Sequence, residues 1–340
     1  MKALVLDEIN GPLLLKDVPV PKPGPGEVLM RVRACAVDQF DVRIRTGKMP
    51  NAKPPIVLGH EVAGEVAGLG AGVDNWKLGQ RVAATLYLTC GRCRHCRGGR
   101  ETICENFKGY LGIETPGGYA EYTVVPEANL VELPESISFV QGSVLANAIG
   151  TPYHALVTRM RLLPGEHVVI TGAGGGVGLH AIQLARLMGA HVMAVDIGEA
   201  KLNAARENGA DVMVDPMQTD FAAAAREWTH GRGVEAVLEL TGAATIEKSL
   251  KALSNGGRVV IVGFHTGSPI AAQASDFVGK ELEIRGSRNC NKQDLIEVVD
   301  LVRAGRIKPV ITGVHALEEA DAIHTKVINQ QIIGRVVLEL

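Results

Sequence analysis

The chain has 340 residues, 21% of them charged and only 4% aromatic, with a formal net charge of -2. That near-neutral balance gives no basic footprint for nucleic acid or a membrane surface, and the length exceeds what one compact core fills, so two domains are expected. No apolar run reaches membrane-spanning length and the opening MKALVLDEING lacks a signal-peptide pattern, so the expected home is the cytoplasm.

Residues 1 to 150 read as short β segments punctuated by Pro and Gly. After the turn-rich PVPKPGPG, alternation runs through Val28, Met30, Val32 and Ala34. Further strand-like runs are Glu61 to Leu69, Arg81 to Leu86 and Tyr119 to Val125. A mostly antiparallel, partly closed β domain is predicted.

From Thr151 the texture changes to alternating helices and apolar strands. A β-branched run, Val168 to Thr171, enters a loop holding Gly172, Gly174, Gly175, Gly176 and Gly178. An apolar-periodic helix, a Gly189 stop and a second apolar strand ending at Asp196 follow. Glycines there let backbone amides approach a pyrophosphate, the helix N-terminus supplies partial positive charge, and Asp196 is placed to accept from ribose hydroxyls. The first motif position is Ala173, and a glycine-rich turn of another α/β sheet is the competing reading. Strand before, helix after and a closing carboxylate favour dinucleotide binding.

Beyond it, predicted helices are Glu199 to Asn208, Phe221 to Thr229 and Ala244 to Leu253. Strands are expected at Val212 to Val214, Val234 to Leu240, Val259 to Val262 after the pair Gly256 and Gly257, and Leu282 to Arg285. This is the alternation of a doubly wound parallel sheet. After Ser287, helices Asp294 to Ala304 and Leu317 to Asn329 and a strand Arg335 to Leu340 are expected to return to the first domain. The fold class is therefore α/β, with a discontinuous β-rich domain (1–150 and 288–340) and a doubly wound cofactor domain (151–287).

Four of six cysteines fall in CGRCRHCRGGRETIC, spaced C-x2-C-x2-C-x7-C as Cys90, Cys93, Cys96 and Cys104. Four thiolates close a tetrahedral shell around Zn²⁺ and leave no place for substrate, so this predicts one structural zinc ion in a lobe near 88–106. Four cysteines also suit an iron–sulfur cluster, but nothing else in the chain suggests electron transfer through one.

Together with Gly59-His60-Glu61, Gly64, Gly70 and Val73, these motifs make the chain resemble the medium-chain dehydrogenase/reductase superfamily, in its zinc-containing alcohol dehydrogenase branch. The loop GAGGGVG is similar to the quinone-oxidoreductase branch. The resemblance implies a GroES-like catalytic domain, a Rossmann cofactor domain and hydride transfer in a cleft between them. It implies that the loop at Gly175, Gly176 and Val177 meets the pyrophosphate, and that Asp196, with Ile197 beside it, takes the adenosine ribose supported by Lys201. Leu240, Thr241, Val262, Gly263 and Phe264 would floor the nicotinamide site, Thr151 would contact the ring, and Arg335 would lie near the pyrophosphate. An Asp at position 196 repels a 2′-phosphate, which favours NAD(H) over NADP(H). Arg206 is a weak candidate for rescuing NADP. The family also implies a homodimer or homotetramer.

The chain departs from the family at the catalytic zinc. Against the family's A-C-G-V-C-H-T-D this sequence reads ACAVDQFD from Ala34 to Asp41. One thiolate has become Asp38, the second has become Asn147, the hydroxyl relay has become Phe40, and the relay histidine position is Arg43. His60, Glu61 and Asp41 are retained, the last matching the carboxylate that orients the metal-binding histidine. Mixed histidine–carboxylate zinc shells exist, but an Asn amide is a poor ligand and both soft donors are lost. The catalytic zinc position is therefore expected to be empty, with Asp38, His60, Glu61, Asp41 and Asn147 as candidate catalytic residues. A protonated His60 held by its acidic neighbours could donate to a developing alkoxide or enolate; side chains that merely satisfy one another are the competing reading.

Three functions follow as expectations. The first is NAD(H)-dependent oxidation or reduction of an alcohol/ketone pair. The second is reduction of an activated double bond in a quinone, enone or enoyl thioester, for which an apolar Phe40 is suited. The third is dinucleotide binding without turnover.

Overall fold

The computed structural model describes residues 1–49, 51–263, 269–270 and 272–340. The chain divides into two compact units. One comprises Met1–Gly150, Cys290–Gly305 and Ile311–Leu340; the other comprises Thr151–Asn289 and Arg306–Val310. The short segment Arg306–Val310, expected with the first domain, belongs to the second. Its backbone is bound there, Lys308 N donating to Gln183 Oε1 at 2.9 Å and Val310 N to His180 Nε2 at 2.9 Å.

The first unit is built on a seven-stranded sheet running Leu130–Glu132, Arg81–Ala84, Glu61–Leu69, Glu27–Val37, Arg335–Glu339 and Ile311–Ala316, with Tyr122–Pro126 also paired to Glu27–Val37. Alternation buries Val28, Met30, Val32 and Ala34 of the central strand, the first three joining one apolar core with Val62, Val66, Val82 and Val125. Register then does the work of assembly. Ala36 lies opposite Glu61, and Val37 opposite Val336. A one-residue step past these pairs brings Asp38, His60 and Arg335 to the same end of three adjacent strands.

Asp38 leaves the central strand and caps the helix Gln39–Arg45, accepting from the backbone N–H groups of Phe40 and Asp41, while Asp41 reaches back to the N–H of Asp38. This reciprocal cap explains a helix that periodicity alone does not reveal in seven residues. Asn147 comes from a π-helical turn, Leu145–Ile149, followed by Gly150–Tyr153 and a second π-helical stretch, His154–Met160. Widened turns of this kind re-aim side chains that a regular helix would bury elsewhere.

The second unit holds a six-stranded parallel sheet in the order Val212–Val214, His191–Val195, His167–Thr171, Val234–Glu239, Leu253–Ile261 and Glu283–Gly286. The fifth strand runs through Gly256 and Gly257, where a break had been expected. The register shift between Val234 and Ala236, together with Gly256 at φ 70°, absorbs the extra residues as a bulge. Among the described residues no helix is long and apolar enough to cross a membrane.

Candidate functional site

In the first unit, the four thiols of the cysteine lobe converge. Sγ–Sγ distances are 3.5 Å for Cys93–Cys96 and Cys90–Cys104, and 4.0 Å for Cys90–Cys96 and Cys93–Cys104. A tetrahedral shell with Zn–S near 2.3 Å has sulfur–sulfur edges of about 3.8 Å, so the residues fit zinc. Backbone donors point the same way: Cys93 N lies 3.4 Å from Cys90 Sγ and Cys96 N lies 3.5 Å from Cys93 Sγ. Backbone hydrogen bonds from Arg92 and Cys93 pull the Cys90 thiol down to about 6 and favour the thiolate a metal binds.

A second cluster gathers at the strand ends of the same unit. His60 is enclosed, its Nδ1 donating to Asp41 Oδ1 at 3.1 Å. Asp41 further accepts from Gly59 N at 3.3 Å, Asp38 N at 3.3 Å and the Tyr119 hydroxyl at 3.2 Å. Behind Tyr119 its oxygen meets His324 Nε2 at 3.1 Å. Gly59 is required here: at φ 95°, a Cβ would stand 2.5 Å from Tyr119 and 2.8 Å from Cys35 Sγ. On the Nε2 side of the ring stand Asp38 Oδ2 at 3.7 Å and Asn147 Nδ2 at 3.1 Å. That amide nitrogen also lies 2.9 Å from Asp38 Oδ2 and 2.9 Å from Glu61 Oε1. Arg335 closes the cluster, with Nη2 at 2.9 Å from Glu61 Oε1 and 3.4 Å from Asp38 Oδ2.

Burial pulls the His60 imidazole down, but Asp41, Asp38 and Glu61 outweigh it and push the ring up to about 9. Glu61 is pushed up to about 7 by burial, against the pull of Arg335. Burial also raises Asp38, yet His60 and Arg335 hold that carboxyl below its ordinary value. An imidazolium held between the carboxyl groups of Asp38 and Asp41 is therefore the charge state the surroundings favour.

Asp38, Asp41 and His60 each place one potential ligand atom within 4.8 Å of the others. They do not form the family's zinc shell. Asp41 occupies the Nδ1 side of the ring and Asp38 the Nε2 side, and an amide nitrogen has no lone pair to give a metal. Both thiolates are replaced, leaving a hard oxygen set already served by N–H donors. Beside His60, the Phe40 ring stands edge-on at 5.1 Å between centroids and continues into Tyr110 at 5.5 Å, Tyr87 and Phe107.

In the second unit the glycine turn has a geometry that suits a dinucleotide. The left-handed residue is Gly172, φ 63°, so Ala173 at the first motif position meets no conformational obstacle. A Cβ on Gly178 would lie 2.4 Å from Gly172 O, whereas one on Gly175 meets nothing closer than 3.5 Å. Gly178 is needed for packing, and Gly175 leaves open space at the uncapped start of the helix Gly176–Leu187, of which Gly176 and Val177 are the first residues. Asp196 follows the second strand, accepting from Gly174 N at 2.8 Å and Ile197 N at 2.7 Å, with Lys201 Nζ at 3.6 Å. Arg206 turns instead to Asn203 Oδ1 at 2.8 Å. Leu240, Thr241, Val262 and Gly263 lie past two neighbouring strand ends, and Thr151 Oγ1 accepts from Asn289 at 3.2 Å. These residues fit a dinucleotide; Phe264 lies outside the described residues.

Sequence reasoning placed Arg335 by a pyrophosphate; the structure sets its guanidinium on Glu61 and Asp38. Tyr119 and His324 were missed. They are 205 positions apart, and only strand pairing and helix packing make them neighbours.

A β-rich unit with a four-thiol lobe, combined with a unit built on a dinucleotide turn, defines a nicotinamide-dependent oxidoreductase. Comparison with known proteins gives the family. Residues 24–135 match the alcohol dehydrogenase GroES-like domain and 176–304 the zinc-binding dehydrogenase domain. An NAD-dependent alcohol dehydrogenase of Sulfurisphaera tokodaii is 34% identical, with 99% of each chain covered. An acryloyl-coenzyme A reductase of the same organism is 33% identical, with 100% of each covered. The crystal structure of AibC superposes with a TM-score of 0.94 at 40% identity, covering 100% of this chain and 95% of that one. The chain belongs to the zinc-containing alcohol dehydrogenase family of the medium-chain dehydrogenase/reductase superfamily, and is an alcohol dehydrogenase-like oxidoreductase.

Proposed function

We propose that the protein transfers hydride between NAD(H) and a small alcohol or ketone without a catalytic zinc, retaining zinc only in the cysteine lobe. One observation carries this reading: the Asn147 amide nitrogen holds Asp38 Oδ2, Glu61 Oε1 and His60 Nε2 within 3.1 Å, where the family places a thiolate-bound metal. Asp196, the glycine turn and the loops at Leu240 and Val262 would hold the dinucleotide, which supplies or accepts the hydride when bound. Polarisation of the carbonyl then falls to the protein. Asp41 fixes the His60 ring through Nδ1, and the acidic surroundings keep a proton on it. Asn147, half-buried, is the outer member of the cluster and donates to the substrate oxygen; the proton stored on His60 passes from Nε2 to the carboxylate of Asp38, 3.7 Å away, and from there to the developing alkoxide, leaving both groups as they began once His60 is reprotonated.

A second reading, conjugate reduction of an enone or enoyl thioester, is favoured by Phe40. Its ring replaces the hydroxyl relay with an apolar edge on His60 and opens a run of four aromatic side chains. The acryloyl-coenzyme A reductase relatives support it.

The test pairs metal analysis with an NADH-oxidation screen of saturated ketones against enones, quinones and enoyl thioesters. One zinc per chain and ketone turnover are expected. Faster turnover of the unsaturated set selects the second reading, and NADH binding without any turnover sinks both. Two zincs per chain, one chelatable with loss of activity, sinks the zinc-free assignment.

A further inference from the structure

The side chain of Glu239 is fully buried at the end of its strand, and five neutral donors serve it. Oε1 accepts from Thr171 Oγ1 at 2.7 Å, Thr241 N at 2.8 Å, Gly242 N at 2.9 Å and Thr245 Oγ1 at 2.7 Å, and Oε2 from Ser249 Oγ at 2.7 Å. Two of the five, Thr241 N and Gly242 N, can only donate, so Oε1 is fixed as an acceptor. Its backbone oxygen accepts from Val262 N at 2.9 Å and Gly263 N at 3.1 Å. One residue thus ties together the strand end feeding the glycine turn and both loops assigned to the nicotinamide. Among the described residues no Lys, Arg or His forms an ion pair with this carboxylate, whose partners are all neutral.

We propose that Glu239 is an electrostatic residue of the cofactor site: its unpaired buried charge favours the oxidised, cationic nicotinamide over the neutral dihydronicotinamide. This rests on reading the second unit as the NAD(H) site. Five hydroxyl and amide dipoles stabilise the carboxylate without neutralising it, and a net charge in a water-poor interior acts over longer range than at a surface. NAD⁺ and NADH differ by one positive charge on the ring, whereas ADP-ribose carries no ring.

Dissociation constants for NAD⁺, NADH and ADP-ribose are measured on the full chain, its Glu239→Gln variant and a Thr245→Lys variant. The last sets an ammonium beside the carboxylate from the half-buried side and keeps the test open should Glu239→Gln fail to fold. Both variants are expected to weaken NAD⁺ about tenfold relative to NADH while leaving ADP-ribose unchanged. An unchanged NAD⁺/NADH ratio overturns the proposal, and so does equal loss of all three ligands, which would make Glu239 a purely structural tie. Failure of the unaltered chain to bind any of the three overturns the dinucleotide reading itself, a result separable from either of these.

Discussion

Asn147 Nδ2 stands 3.1 Å from His60 Nε2 while the same nitrogen spans two carboxylates at 2.9 Å. An amide has two N–H hydrogens, and three acceptors surround it, so one contact is short of a hydrogen when His60 is neutral. With His60 protonated, the amide oxygen is the better partner for Nε2–H, a proton on Glu61 then donates to that same oxygen, and Asp38 Oδ2 is left to Arg335 Nη2 at 3.4 Å. The raised values of His60 and Glu61, about 9 and about 7, fit this exchange. The charge state of the cluster is therefore coupled to the orientation of one amide.

The first prediction concerns pH. His60 rises from its ordinary 6.5 to about 9 on folding. Its contribution to stability is complete below 6.5 and disappears as pH climbs through about 9. Glu61, raised from 4.5 to about 7, behaves alike over its own lower window. Denaturant unfolding should show stability declining across both intervals. The ketone-reduction rate should fall above about 9, and His60→Gln should lose about a hundredfold to ten-thousandfold in kcat and flatten that limb.

Metal content is the second. Restoring both thiolates, Asp38→Cys with Asn147→Cys, should raise zinc from one to two per chain, because His60 and two sulfurs supply a three-ligand site. Elemental analysis after dialysis decides it; a double variant still holding one zinc would mean that more than these two positions closes the site.

Removing Arg335 should be severe. Arg335→Met leaves Glu61 and Asp38 buried beside an unmatched charge, and about 3–5 kcal/mol of stability should be lost. Adding Glu61→Gln should restore part of it, read as the midpoint in urea.

Two glycines of the same turn should behave oppositely. Gly178→Ala drives a methyl to 2.4 Å from Gly172 O and should lower Tm. Gly175→Ala meets nothing nearer than 3.5 Å and should leave Tm alone, yet weaken NADH binding by filling the space over the helix start. Loss of Tm in Gly175→Ala would contradict the assignment of that space to a ligand.

What could be read from the sequence was what is contiguous. The cysteine lobe and the turn from Val168 to Asp196 carry their ligand sets within single segments, and both assemble as their spacing requires. The polar cluster does not. Asn147 lies 109 positions from Asp38, and aligning the chain with its family, not periodicity, drew attention to the pair. Tyr119 and His324 carried no pairing signal: His324 on the helix Ala320–Ile328 looks like a break in pattern until its partner is seen, and Tyr119 lies in a loop ahead of the strand Tyr122–Pro126. Short capped helices such as Gln39–Arg45, and the π-helical turn that presents Asn147, lie below what hydrophobic spacing resolves.

The capping role of Asp38 bears on the order in which thiolates could be introduced. Its Oδ1 accepts from Phe40 N at 2.7 Å and Asp41 N at 3.3 Å, so the residue at this position also starts a helix. A thiol there would cap more weakly, at a cost of about 1 kcal/mol, before any metal arrived to compensate. Asp38→Cys alone thus gives a less stable protein with a single thiolate, and any compensation from a metal waits on the second change at Asn147.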